Sequence, residues 1–161
     1  MDTDIGAKQD ALPVLAPESV DRATRGLDDL HLSVIDDDHD FFIEKDGERF
    51  AGVHLLVDMW GAGNLDNPLA IEQTLRAAAA AAGATVLSVF HHLFSPNGGV
   101  SCIVALAESH ISVHTWPERH FAAIDIFMCG ACDPYLAVPT LRRFFAPFSL
   151  ELNEIKRGLL R

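Results

Sequence analysis

Side chains able to do nucleophilic or acid–base chemistry crowd into one short window of this sequence: Glu108-Ser109-His110, then His114-Thr115-Trp116-Pro117-Glu118, then Cys129-Gly130. The residues between them are the Val, Ile and Ala of buried strands, where a polar side chain costs free energy unless it has a partner or a purpose. A serine offers a nucleophilic hydroxyl, a histidine carries protons at neutral pH, and a thiol can act as weak acid or nucleophile. Cys129-Gly130-Ala131-Cys132 also has the CxxC spacing of a redox pair or of half a zinc site. A second CxxC is missing, which excludes a four-cysteine zinc site and leaves open a mixed one with His91, His92 or His120. Asp36, Asp38 and Asp40 alternate as in a calcium loop, but the glycine and closing glutamate such a loop needs are absent at their offsets.

The strands around this window set what can meet. Pro117 cannot sit in a central strand, so it marks the turn of a hairpin between Ile111–Thr115 and Phe121–Met128. A hairpin centred near Arg119 pairs residues whose numbers sum to about 238, which puts Ser109 opposite Cys129 with Cβ atoms ~5 Å apart. His114 is another matter. Five residues of extended chain span ~16 Å, and odd spacing turns the two side chains to opposite faces. His114 therefore does not reach the Ser109 of its own chain, and a joint role requires a second copy: a homodimer with composite sites.

The remaining elements follow from hydrophobic pattern. A strand is expected at Val53–Val57, then a helix entered at Asn67-Pro68, running Leu69–Ala82 and stopped by Gly83. Ala84–Phe90 and Val100–Ala107 read as further strands around the loop Ser95-Pro96-Asn97-Gly98-Gly99. A helix from about Pro134 to Phe145 and a strand at about Phe148–Lys156 close the chain. The condensed order is β-α-β-β-β-α-β, an α+β two-layer sandwich with helices on one face of a mainly antiparallel sheet. His91-His92 is expected to end a strand with one ring outward, and Trp116 and Phe127 are expected to pack. Residues 1–48 read as an acidic, partly disordered extension, and residues 49–161 as the domain.

Composition narrows the functional classes. At 161 residues with 49% hydrophobic, the chain can bury one substantial core. A net charge of −11 repels phosphate backbones and argues against nucleic acid. No apolar run reaches the ~20 residues of a membrane span, and Met1-Asp2-Thr3-Asp4 does not start a signal peptide. Three cysteines do not make a disulfide framework. A cytoplasmic protein is the expectation.

The run Glu108-Ser109-His110-Ile111-Ser112-Val113-His114-Thr115-Trp116-Pro117-Glu118, followed by Ala122-Ala123-Ile124-Asp125-Ile126-Phe127-Met128-Cys129-Gly130, resembles the core signature of the bacterial S-adenosylmethionine decarboxylase proenzymes. The similarity extends from about His54 to Gly158 and includes Gly99-Val100-Ser101 and Arg157-Gly158. The resemblance implies self-cleavage between Glu108 and Ser109. It implies a β chain ending at Glu108 and an α chain headed by a covalent pyruvoyl group made from Ser109. It further implies that His114, supported by Ser101, transfers protons during processing and that Cys129 donates the proton in decarboxylation. Glu118 is implied to bind the substrate ribose and Phe94 to stack on its adenine, in sites shared by two protomers. No metal is implied. The loop before Ser101 is one residue longer than in short members, and Cys102 stands where glycine is common.

The chemistry is intelligible in itself. A pyruvoyl ketone condenses with a substrate's α-amine as a Schiff base and takes up the electron pair left by CO₂, after which a weak acid returns a proton. The expected function is decarboxylation of S-adenosylmethionine to the aminopropyl donor of spermidine and polyamine biosynthesis. Arginine or ornithine are alternative substrates for the same chemistry. A non-enzymatic, metal-binding α+β protein is the alternative of a different class, and it would stay uncut on denaturing electrophoresis.

Overall fold

Asn67 opens the first helix by accepting a hydrogen bond from the Ala70 N–H (3.1 Å), and Pro68 takes the first turn, where its missing N–H costs nothing. This helix, α1 (Pro68–Ala81), buries Ile71, Leu75, Ala78 and Ala79 on one stripe and ends before Gly83, whose φ of +80° turns the chain back. The computed structural model describes residues 41–160. The acidic extension up to Asp40, with Asp36, Asp38 and Asp40, lies outside the described residues.

The strands are β1 (Ile43–Lys45), β2 (Glu48–Phe50), β3 (Gly52–Trp60), β4 (Val86–Leu93), β5 (Val100–Leu106), β6 (Ser109–Trp116), β7 (Phe121–Met128) and β8 (Ser149–Arg157). β1 and β2 form a small hairpin across the boundary placed at residue 48. The other strands make a six-stranded sheet in the order β4-β5-β6-β7-β3-β8, antiparallel throughout. The α+β sandwich is as expected. Four strands lie between the helices, matching the four expected runs Ala84–Phe90, Val100–Ala107, Ile111–Thr115 and Phe121–Met128, where the condensed order counted three.

The expected second helix is two pieces: a 3₁₀ turn at Pro134–Ala137, then α2 (Val138–Phe145). Pro139 lacks the N–H that a continuous helix would donate to Tyr135, so the first turn closes instead through Val138 N–H to Tyr135 O. Both helices cover one face of the sheet. Leu55, Val57, Met59, Val104, Ile111, Val113, Ile124 and Ile126 point into that core with Ile71, Leu75, Leu141 and Phe145. None of the described helices is long and apolar enough to cross a membrane.

Residues of the other parity face away from the helices. His54 and Trp60 on β3, Phe90 on β4, Ile103 on β5, His110 and His114 on β6, Asp125 and Phe127 on β7 and Ile155 on β8 share this open face, as strand pairing requires. Trp60, Phe90, Ile103, Trp116 and Ile155 are exposed large hydrophobics.

Candidate active site

Strand β6 carries chemistry at both ends. At its start the register pairs Ser109 with Met128, so facing residues sum to 237 and not 238. The loop between Trp116 and Phe121 is the four residues Pro117 to His120, with His120 left-handed at φ +50°, and its midpoint falls between Glu118 and Arg119. The expected Ser109–Cys129 pairing is corrected accordingly. A slip of one moves Cys129 from the serine to the residue before it.

That placement is chemically pointed. The carbonyl oxygen of Glu108 accepts the Cys129 backbone N–H at 3.1 Å and the Cys129 thiol at 3.0 Å. Two donors from one residue therefore converge on the carbonyl of the Glu108–Ser109 peptide bond. The Glu108 carboxylate is anchored away from it, accepting the Thr85 N–H at 2.9 Å. Ser109 has φ +145°, a region a side-chain-bearing residue rarely occupies, at a cost of about 1–3 kcal/mol. The half-buried serine hydroxyl lies 3.3 Å from His110 Nδ1.

At the far end of β6 stands the second group. His114 is opposite Ser101 on β5, and Ser101 Oγ lies 2.7 Å from His114 Nδ1. Both line a cavity of about 420 Å³ with Phe94, Trp116 and Glu118. The loop Phe94–Gly99 walls it, closed by Phe94 N–H to Gly99 O (2.7 Å) and Gly98 N–H to Phe94 O (2.9 Å). A Cβ at Gly99 would stand 2.8 Å from the Thr115 carbonyl, so only glycine lets this loop lie against β6. Thr115 fixes the floor from the core side: its hydroxyl donates to Leu65 O (2.7 Å) and accepts from Val100 N–H (2.7 Å).

The structure thus sorts the expected site residues into two sets: Glu108, Ser109 and Cys129 at one end, and Phe94, Ser101, His114 and Glu118 at the other. Trp116, expected to pack, lines the cavity and is 40% exposed. Phe127 does pack, against His54 and His110. Sequence reasoning gave no part to His110, Thr85 or Thr115. Strand neighbours face opposite ways, so adjacency does not signal the His110 contact, and nothing local signals Thr85, 23 residues before the carboxylate it holds.

The remaining candidates part ways. Cys132 Sγ donates to Gly83 O at 3.4 Å, away from the carbonyl that Cys129 holds, and burial pushes its pKa up. Burial likewise pushes the Cys102 thiol up to about 11, which keeps it neutral in the core. His91 turns to the helix and meets Glu72 at 3.0 Å while His92 is exposed, as expected of that pair. The Arg76 bond, with help from His91, holds the Glu72 carboxyl below the usual range. Among the described residues no three His, Cys, Asp or Glu gather as a metal site.

The sequence matches the family model described as S-adenosylmethionine decarboxylase over residues 53–158, which spans both ends of β6. The chain belongs to this family. It is 42% identical over 110 residues to the S-adenosylmethionine decarboxylase proenzyme of Thermomicrobium roseum, covering 68% of this chain and 95% of that one. It is 44% identical over 113 residues to the proenzyme of Methanococcus aeolicus, covering 68% and 96%. Among solved structures, the adenosylmethionine decarboxylase of Aquifex aeolicus superposes with a TM-score of 0.63 at 32% identity, covering 70% of this chain and 94% of that one. Both of these relatives are named as proenzymes.

Proposed function

We propose that this protein cuts its own chain between Glu108 and Ser109 and then decarboxylates S-adenosylmethionine, supplying the aminopropyl donor of polyamine synthesis. One observation carries the reading: the Glu108 carbonyl, held by the Cys129 N–H and thiol, precedes a serine at φ +145°. Donors on a carbonyl oxygen stabilise the negative charge that develops as a nucleophile adds to its carbon. Addition of Ser109 Oγ closes a five-membered ring, and breakage of its C–N bond leaves an ester and a free amine. Loss of the Ser109 Cα proton then expels the Glu108 carboxylate. Hydrolysis of the resulting dehydroalanine releases ammonia and leaves a pyruvoyl group at the head of the α chain.

The residues fit that group, since it arises from Ser109 in place and Cys129 stays beside it. Once present, it supplies a ketone that binds the substrate amine and accepts the electron pair left by CO₂. The Cys129 thiol then protonates the substrate carbon. His114, tied to Ser101, transfers protons during processing. Glu118 accepts from ribose hydroxyls, and Phe94 stacks on the adenine. The aromatic rings of Phe94 and Trp116 in the cavity favour a purine over the alkyl chains of arginine or ornithine.

The two sets of residues stand ~16 Å apart along β6, too far for one substrate's reacting centre. A complete site takes Ser109 and Cys129 from one protomer and His114, Ser101, Glu118 and Phe94 from a second copy. The open sheet face, with its exposed aromatic and aliphatic side chains, is the surface a second copy would cover.

Intact-mass measurement under denaturing conditions tests the chemistry. Two chains are expected, the second headed by a pyruvoyl group in place of Ser109. Ser109→Ala should remain a single inactive 17.5 kDa chain. A cleaved and active Ser109→Ala protein would overturn the mechanism.

A further inference from the structure

His114 is not the group that touches the hydroxyl of Ser109 within this chain; His110 is. We propose that His110 is the base of the first self-cleavage step, taking the Ser109 hydroxyl proton within the same protomer as the oxygen adds to the Glu108 carbonyl. The proposal rests on the self-cleavage reading above and assigns it a catalytic residue.

Four observations converge on this role. Ser109 Oγ and His110 Nδ1 are 3.3 Å apart, so Nδ1 can accept the hydroxyl proton while Nε2 carries the ring's own hydrogen. Neighbours in a regular strand point to opposite faces, so this contact exists because Ser109 leaves the extended conformation at φ +145°. The backbone feature at the cut site thus also delivers the hydroxyl to its acceptor. Third, the donors on the Glu108 carbonyl come from Cys129 of the same chain, which puts nucleophile, base and polarised carbonyl in one protomer. Fourth, His114 is five residues further along and bonded to Ser101, which leaves a second copy's His114 for a later step.

The His110 ring is held, not loose. Phe127 is its cross-strand neighbour on β7, with ring centroids 6.0 Å apart, and His54 on β3 meets it edge-on at 6.2 Å. On β5 it faces Ala105. Of the charged and titratable groups on this face, His54, Asp125 and Arg157 form a linked chain beside the ring. Arg157 donates to His54 Nδ1 at 3.5 Å, which leaves Nε2–H to donate to Asp125 at 3.1 Å.

The step balances without a co-reactant. The Ser109 Oγ–Glu108 C bond forms, and the electron pair of the Glu108 C–Ser109 N bond leaves on nitrogen. The hydroxyl proton passes to His110 Nδ1 and from there to the departing amine. The product is an ester between the Glu108 carboxyl and the Ser109 oxygen.

The test follows the full chain from synthesis in a cell-free system, reading loss of the uncut band on denaturing gels. Variants are His110→Ala and His110→Asn, with and without added imidazole, and hydroxylamine is used to split any ester. His110→Ala should cut about 10²-fold or more slowly, and imidazole should restore much of the rate. His110→Asn, polar but not basic, should stay slow, and hydroxylamine should not shorten the uncut His110→Ala chain. Wild-type speed in His110→Ala overturns the proposal, as does no restoration by imidazole in a variant whose near-ultraviolet circular dichroism matches uncut Ser109→Ala. A hydroxylamine-sensitive ester building up in His110→Ala also overturns it, since His110 would then act after the shift. A wild-type chain that never cuts overturns the self-cleavage reading itself, and this assignment with it.

Discussion

Ser109 stores backbone strain at the proposed cut, and the two smallest replacements of it separate strain from chemistry. Alanine keeps a Cβ at φ +145° and glycine does not. Relief of about 1–3 kcal/mol, less the ~0.5–1 kcal/mol that glycine costs in a strand through lost entropy, leaves Ser109→Gly about 1 kcal/mol more stable than Ser109→Ala. Urea unfolding of the two uncut proteins measures the difference, and equal midpoints would mean the strain is absent. The candidate reacting groups could be named from the sequence, because Glu108, Ser109, His114 and Cys129 sit among residues that otherwise only pack. Their pairing was legible only to within one residue. The hairpin loop has an even count, so its centre lies between two residues and Cys129 lands on the Glu108 carbonyl instead of beside the serine. A positive φ at a serine leaves no trace in composition or period, so the contact to His110 could not be read in advance.

Strands and their connections decide how rigidly these groups are held. Thr115 ties three segments together, accepting from Val100 N–H at the head of β5 and donating to Leu65 O in the loop after β3. Thr115→Val keeps the shape but strands both buried backbone groups, and about 2–3 kcal/mol of stability should be lost. Denaturant unfolding of the uncut protein checks it; a loss under about 0.5 kcal/mol would show that water replaces the hydroxyl. The helix α1 was readable from Asn67-Pro68 to Gly83 because cap, first-turn proline and left-handed glycine each have a local chemical reason. Pro134–Phe145 was readable as helical but not as two pieces, since apolar spacing is blind to the hydrogen bond that Pro139 cannot donate. Strand ends drifted for the same reason. β6 starts at Ser109 itself, two residues before its apolar alternation becomes visible.

At the scale of the assembly, the reach along β6 makes complementation decisive. Glu118→Gln disables the cavity end and Cys129→Ala the cleavage end. Mixed before assembly, the two variants should form hybrids with one intact composite site. About one quarter of wild-type decarboxylase activity is expected from an equal, random mixture. Activity no higher than the average of the two separate variants would place each site within a single protomer. The expectation that the two ends of one strand serve different sites came from extended-chain arithmetic alone. The open apolar face that would join the copies did not, because it needs the sheet order, and pairings such as β3 with β8 link residues about a hundred positions apart.

That same sheet order decides what becomes of the molecule after the cut. On the proposed cut at Glu108–Ser109, strands β4 and β5 fall in the β chain, β6 and β7 in the α chain, β3 in the β chain again, and β8 in the α chain. The two products are shuffled into one sheet and share three strand–strand seams, so neither can depart without dismantling the other. Maturation is therefore a one-way passage for the fold as well as for the peptide bond. The precursor finds its structure as a single chain, whereas the mature protein, once melted, must bring two separate polypeptides back together. On the proposed cut, the working enzyme keeps a topology laid down while the precursor was still one chain.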